Sequence, residues 1–231
     1  MDDSPVSTGY DQPSASVYTP KWMRTYDRIV FGGTCRWYGW GPTAARLVEF
    51  YREHLGRRHL DVGVGTGLLL DRAGMPADYE KLHLLDRNQV PLEMTARRLQ
   101  RFSPTTTAAD AQEPWPLPDD RFSSVGCSFT IHCLADEQGR GIAAKASFFD
   151  EVARVLEPGG TFFGTTLLSR GDWKGWRPVA GPLMAVYRRK GWFDNSHDTA
   201  GDLRRELDAR FDAVQVHVEG CTAFWTARAR A

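Results

Sequence analysis

The feature that most limits what this chain can fold into is its middle, where short apolar strands alternate with helices. His59–Val64 is a strand that runs into Asp61-Val62-Gly63-Val64-Gly65-Thr66-Gly67 and opens a short helix, Leu68–Arg72. Leu82–Leu85 reads as a second strand and Val90–Phe102 as a helix. Thr105–Ala109 and Phe122–Phe129 are the third and fourth strands, followed by a helix over Ala144–Leu156. Glu157-Pro158-Gly159-Gly160 is a tight turn into a fifth strand, Thr161–Leu168. Strands joined to helices by such short connections predict an open parallel sheet with helices on both faces. The last part changes pattern. A helix over Leu203–Ala209 leads to strands Phe211–Val218 and Cys221–Arg228, separated only by Glu219-Gly220, hence an antiparallel hairpin.

The glycine loop is also the first functional signal. Glycines let a turn tighten and leave bare backbone for a ligand to approach, and N–H groups at a helix start can face that ligand. Alone such a loop is weak, but two acidic residues share its setting. Asp86 ends the second strand about 20 residues past the loop, where a carboxylate can accept both hydroxyls of a ribose. Asp110 follows the third strand, where a carboxylate can accept an adenine amino hydrogen. In an open α/β sheet these carboxyl ends converge on one crevice.

Around that core, residues 1–17 are rich in Ser, Pro, Asp and Gln and are expected to form a disordered tail. Residues 18–56 form an N-terminal helical and aromatic region ahead of a core over 57–231. Thr19-Pro20 caps a helix carrying Trp22, Tyr26, Ile29 and Val30 at helical spacing. Cys35–Trp40 is crowded with aromatics, including Trp37, Tyr38 and Trp40. From Pro42 a second helix presents Ala44, Leu47, Val48, Tyr51 and Leu55 on one face.

Composition narrows the classes. Lys plus Arg and Asp plus Glu each number 29, and zero net charge argues against a nucleic-acid backbone as partner. Cys35, Cys127, Cys133 and Cys221 form no CxxC pair and no zinc spacing with histidine, so no metal is expected. No apolar run approaches the roughly 20 residues of a membrane span, and MDDSPVSTGYDQPS lacks the basic and apolar regions of a secretory signal. A cytoplasmic protein without a membrane partner is the expectation; oligomeric state stays open.

Together the loop DVGVGTG, the strand LHLLD, the stretch AADAQEPWPLPDDRFSSV and the segment VARVLEPGGTFFGTTL resemble the successive motifs of class I S-adenosylmethionine-dependent methyltransferases, nearest the UbiE-like small-molecule type. The resemblance covers about residues 58–168 and implies a Rossmann-like α/β fold, a seven-stranded sheet in the order 3-2-1-4-5-7-6, with the N-terminal region as a helical lid. It implies S-adenosyl-L-methionine as cofactor and methyl transfer by in-line displacement to a small organic acceptor, such as a natural-product intermediate. Asp61, Gly63, Gly65 and Gly67 would underlie the amino acid part of the cofactor. Asp86 would hold the ribose and Arg87 lie by the adenine face. Asp110 and Ala111 would meet the adenine edge with Gln112 close by, and Ser128 and Phe129 would lie near the methionine portion.

Methyl transfer asks mainly for alignment, because the electrophile is supplied by the cofactor. Where the acceptor must lose a proton, His132 just beyond the fourth strand is the candidate base; the other reading is that it packs within its loop. Trp22 and Tyr26 read either as helix core or as lid. Trp37, Tyr38 and Trp40 read as lid, offering flat apolar contact to an acceptor. The long connection Leu168–Phe193, with Trp173, Trp176, Met184, Tyr187, Trp192 and Phe193, suits an acceptor wall. Asn195, His197 and Asp198 read as turn and cap residues or as acceptor contacts. Two competing classes remain. An NAD(P) oxidoreductase would need a third glycine where Leu68 stands, and a non-catalytic member would bind the cofactor without product.

Overall fold

The computed structural model describes residues 39–175 and 178–231. The expected tail, the helix after Thr19-Pro20, Trp22, Tyr26, Trp37, Tyr38 and Trp176 lie outside the described residues.

Seven strands form one sheet in the order β3-β2-β1-β4-β5-β7-β6, the order implied by the resemblance. They are β1 (Arg58–Val62), β2 (Lys81–Asp86), β3 (Thr105–Ala108), β4 (Phe122–Ser128), β5 (Leu156–Leu167), β6 (Phe211–Glu219) and β7 (Thr222–Ala229). The first five run parallel, and β7 pairs antiparallel with both β5 and β6. The helices are α1 (Ala44–His54), α2 (Leu68–Ala73), α3 (Gln89–Arg98), α4 (Ala146–Val155), α5 (Ala180–Arg189) and α6 (Ala200–Arg210).

Each face of the sheet buries its own apolar cluster. Because side chains alternate along a strand, Phe162 and Trp225 join Phe148, Phe149 and Val152 of α4 and Leu203 and Leu207 of α6. Their neighbours Phe163 and Phe224 point the other way, to Leu47, Phe50 and Tyr51 of α1, Leu92 of α3 and Met184 of α5. Full burial of one such side chain contributes ~1.5–3 kcal/mol.

Three local features differ from the sequence expectation. The strand β5 begins at Leu156, and Glu157–Gly160 loops out of it. Phe122 pairs with Leu156 while Ser124 pairs with Thr161, so the turn survives as a bulge within the ladder. The helix expected over Val90–Phe102 breaks at Leu99 and finishes as a 3-10 turn, Gln100–Phe102. The connection after β5 contains α5, whose Gly181 and Pro182 mask its helical pattern in the sequence.

Candidate active site

The chain enters the described region at the hairpin. The Trp40 carbonyl accepts the Cys221 N–H (3.0 Å) and the Thr222 hydroxyl (2.9 Å). Gly41 passes so close that a Cβ there would lie 2.3 Å from the Glu219 carbonyl oxygen. Thr43 then caps α1, its side chain accepting the Arg46 N–H at 3.2 Å. From this anchor α1 carries Tyr51 to the end of β1. The Tyr51 ring stands edge-on to Phe163 (5.1 Å between centroids, 83°), and its hydroxyl donates to Asp61 Oδ1 at 3.1 Å.

The glycine turn follows at once. Gly63, Gly65 and Gly67 all have positive φ (71°, 52° and 70°), the region that favours glycine. Two of them are also pressed. A Cβ on Gly63 would lie 2.0 Å from Thr130 Oγ1, and one on Gly67 would lie 2.6 Å from Thr95 Cγ2. Gly65 faces open space, with nothing within 4 Å of such a Cβ. The Thr95 hydroxyl donates to the Gly65 carbonyl (3.0 Å), fastening the turn to α3.

These residues line a cavity of about 1050 Å³, its open mouth included, at the carboxyl ends of the parallel strands. Tyr51, Asp61, the glycine turn, Asp86, Arg87, Asp110, Ala111, Ser128 and Phe129 all border it. Eleven of the expected site residues are therefore brought to this end of the sheet, and all but one line the same cavity. The exception is Gln112. Its side-chain amide is occupied on both sides by Ala135, accepting the N–H at 2.8 Å and donating to the carbonyl at 3.1 Å. That double bond to backbone turns it into a clamp on the loop after β4, not a cavity residue.

Charge in the cavity is concentrated at the strand ends. Asp86 accepts the Asn88 N–H at 2.9 Å. Burial raises its carboxyl from 3.8 to about 6, against the opposing pull of the Asn88, Val64 and Gly65 N–H groups and the Arg87 charge. Asp110 pairs with Arg87 at 3.3 Å and accepts the Gln112 N–H at 2.9 Å. Phe129 holds a positive φ of 54° and donates its N–H to the Thr165 carbonyl at 2.7 Å, which fixes the turn beside Ser128.

His132 is placed differently from the expectation of a base. It is 2% exposed and is not among the residues bordering the cavity. The Leu167 N–H donates to its Nδ1 at 3.4 Å, with the Thr166 hydroxyl at the same distance. Assigned from these bonds, the neutral ring carries its proton on Nε2. Burial, then the Lys145 charge, pushes its pKa down to about 3. A group so hard to protonate, with its lone pair engaged, is poorly suited to remove a proton at neutral pH. The packing reading fits: its ring meets Phe193 edge-on at 4.4 Å.

Trp40 likewise departs from a lid. It is 3% exposed and packs on Tyr187 (6.4 Å) and Phe193 (6.2 Å), a core position under the α5 segment. Asn195 and Asp198 are fully buried, and the cap of α6 is Thr199, which accepts the Asp202 N–H at 3.0 Å. Asp198 instead meets Lys145 Nζ at 2.7 and 2.9 Å, and Lys145 also donates to the Asp194 carbonyl at 3.0 Å. The Asn195 amide donates to the Leu167 carbonyl at 3.0 Å. Sequence reasoning singled out neither Lys145 nor the role of Tyr51. Tyr51 was assigned to a helix face, and only its register against Asp61 separates it from ordinary core.

The fold and the cavity at the glycine turn define a Rossmann-like enzyme that binds an adenosyl compound across its strand ends. The comparisons make the class specific. A family model described as a methyltransferase domain matches residues 60–164. Demethylluteothin O-methyltransferase from Streptomyces thioluteus is 37% identical over 214 residues, spanning 91% of this chain and 88% of that protein. In structure, phosphoethanolamine N-methyltransferase 2 of Haemonchus contortus, solved with phosphomonomethylethanolamine and S-adenosylhomocysteine, superposes with a TM-score of 0.72. It is 15% identical and the match covers 99% of this chain and 62% of that one. The N-methyltransferase NodS of Bradyrhizobium japonicum, in complex with S-adenosylhomocysteine, gives a TM-score of 0.58 at 15% identity over 81% and 86% of the two chains. The chain belongs to the class I S-adenosylmethionine-dependent methyltransferases. Methyl transfer to a small molecule is the activity this membership carries, and the oxidoreductase alternative falls away.

The residues present fit that cofactor. Gly65 presents bare backbone to open space, and two carboxylates stand on successive strand tips of the same cavity. Among the described residues no helix is long and apolar enough to cross a membrane, and no group of histidine, cysteine and acidic residues could hold a metal ion.

Proposed function

We propose that this enzyme methylates an oxygen of a flat, largely apolar small molecule, a natural-product intermediate with a phenolic or enolic hydroxyl. When bound, the cofactor supplies a methyl group on a positively charged sulfur, already reactive toward an oxygen nucleophile. The chain's own part is to bind, orient and exclude water. Asp86 accepts the ribose hydroxyls, and Arg87, Asp110 and Ala111 border the adenine. Asp61 and the turn through Gly63, Gly65 and Gly67 take the amino acid part, with Ser128 and Phe129 beside the methionine portion. The observation that carries this reading is the open face of Gly65 between two strand-end carboxylates in one cavity.

The oxygen acceptor is supported by the name of the 37% identical relative. The flat, apolar character is supported by the Phe129 ring and by Val64, Leu68, Leu69 and Leu134, all of which border the cavity. An ionisable hydroxyl gives up its proton without a dedicated base, so alignment carries the rate and His132 stays in the packing behind the site. In this reading the enzyme acts in the cytoplasm, and the absence of a nucleic-acid partner accords with the zero net charge.

The test is incubation with S-adenosylmethionine labelled in its methyl group and a panel of phenols and enols that includes demethylluteothin, read by mass spectrometry. Labelled O-methyl product supports the proposal. Label transferred only to amines or to carbon overturns the oxygen assignment.

A further inference from the structure

Among the described residues Tyr51 is the tyrosine that borders the glycine-turn cavity, and neither the motifs nor the comparisons give its hydroxyl a task. It is 2% exposed, its ring held between Phe163 and the rest of the α1 cluster, and it borders the cavity. Its proton goes to Asp61 Oδ1 at 3.1 Å. Asp61 is itself 5% exposed, and His59 Nε2 approaches the same oxygen at 3.6 Å. His59 is fixed from behind by Ser124, whose hydroxyl lies 2.8 Å from Nδ1 and accepts the Gly56 N–H at 2.8 Å. Gly126 on β4 leaves the room: a Cβ there would lie 2.9 Å from Asp61 Oδ1. Tyr51 and His59 thus address one oxygen of the carboxylate. Among the described residues Oδ2 makes no hydrogen bond, and Asp61 borders the cavity.

We propose that Tyr51 is a positioning residue for cofactor binding: its hydroxyl pins Asp61 Oδ1 so that Oδ2 faces the ammonium group of the cofactor's amino acid part. This rests on the reading above that Asp61 takes that part. Burial, and then the Asp61 charge, raises the Tyr51 phenol well above its ordinary value, so it remains a donor across the working pH range and takes no part in proton removal. A hydrogen bond to a charged group contributes more than a neutral one, and a rotamer held before binding spares the ligand the work of ordering it.

The experiment is titration calorimetry of wild type, Tyr51→Phe, Asp61→Asn and the double variant with two ligands. S-adenosylhomocysteine carries the amino acid part; 5′-methylthioadenosine lacks it. Tyr51→Phe keeps the ring and its packing, so it should weaken S-adenosylhomocysteine about tenfold and leave 5′-methylthioadenosine within twofold. The double variant should bind S-adenosylhomocysteine no more weakly than Asp61→Asn alone, because the two act through one contact. Equal loss for both ligands would mean general damage to the pocket and overturns the proposal. So does a Tyr51→Phe affinity within twofold of wild type, or additive losses in the double variant. If Asp61→Asn itself costs no affinity, the reading of Asp61 fails, and that outcome is distinct from a silent Tyr51→Phe.

Discussion

Asp86 offers the sharpest test of the cofactor site, because its charge should be visible in binding. Burial lifts its carboxyl to about 6, and ribose hydroxyls donate to the ionised form. If only that form binds, affinity falls by a factor of 1 plus ten to the power of 6 minus pH. That is about elevenfold at pH 5 and close to nothing at pH 7.5. The ligand's own amino and carboxyl groups titrate outside this window. Calorimetry with S-adenosylhomocysteine from pH 7.5 to 5 should therefore show Kd rising toward one decade per unit below pH 6. Asp86→Asn keeps the shape and removes the charge; losing ~2 kcal/mol of charge-assisted bonding weakens binding about thirtyfold at pH 7.5, with the slope abolished. The same carboxyl acts on stability in the opposite sense. A folded value near 6 against 3.8 means the folded chain holds the proton more tightly. The penalty for its charge is full above pH 6, shrinks as pH falls toward 4, and vanishes below. Allowing for its partial exposure, Asp86→Asn should gain ~1 kcal/mol at pH 7.5, or about 2–4 °C in Tm. A wild-type Kd that is flat down to pH 5, or an Asn variant with the same slope, refutes the reasoning.

Three further outcomes follow from the geometry. Gly65→Ala meets open space, so it should fold with a loss of ~1–2 kcal/mol from its left-handed backbone yet bind S-adenosylhomocysteine poorly; Gly63→Ala, pressed on Thr130, should lose much more in thermal melts. Lys145→Met strips the fully buried Asp198 of its cation, so the carboxyl, already raised to about 6 by burial, should take up a proton; the unpartnered group should destabilise by ~1–3 kcal/mol in urea unfolding, whereas Lys145→Met with Asp198→Leu should recover most of it. His132→Gln should lower turnover less than about tenfold, short of the ~10²–10⁴ of a lost general base, when kcat is measured with an accepted phenol.

The strands, the glycine turn and its carboxylates were legible because each depends on local pattern: strand, turn, helix start and strand end; the sheet order came only with the family resemblance. What escaped depends on contacts far apart in sequence. Gln112 looks like an adenine neighbour until Ala135, 23 residues on, takes both ends of its amide. Lys145 sits in a small-residue stretch, Gly141–Lys145, and nothing local says that Asp198 will meet it. Trp40, among aromatics and glycines, lacks helical period, so burial beneath Tyr187 and Phe193 could not be read from it. α5 was hidden by Gly181 and Pro182 in its first turn, where a proline is tolerated but periodicity is not visible.

The most direct trial of the account is a crystal structure with S-adenosylhomocysteine bound. It should show the ribose on Asp86, the adenine between Arg87 and Ala111, and the amino acid part over Gly65 against Asp61. A ligand lying elsewhere on the protein, or across the strand ends with Asp86 and Asp61 untouched, would contradict it.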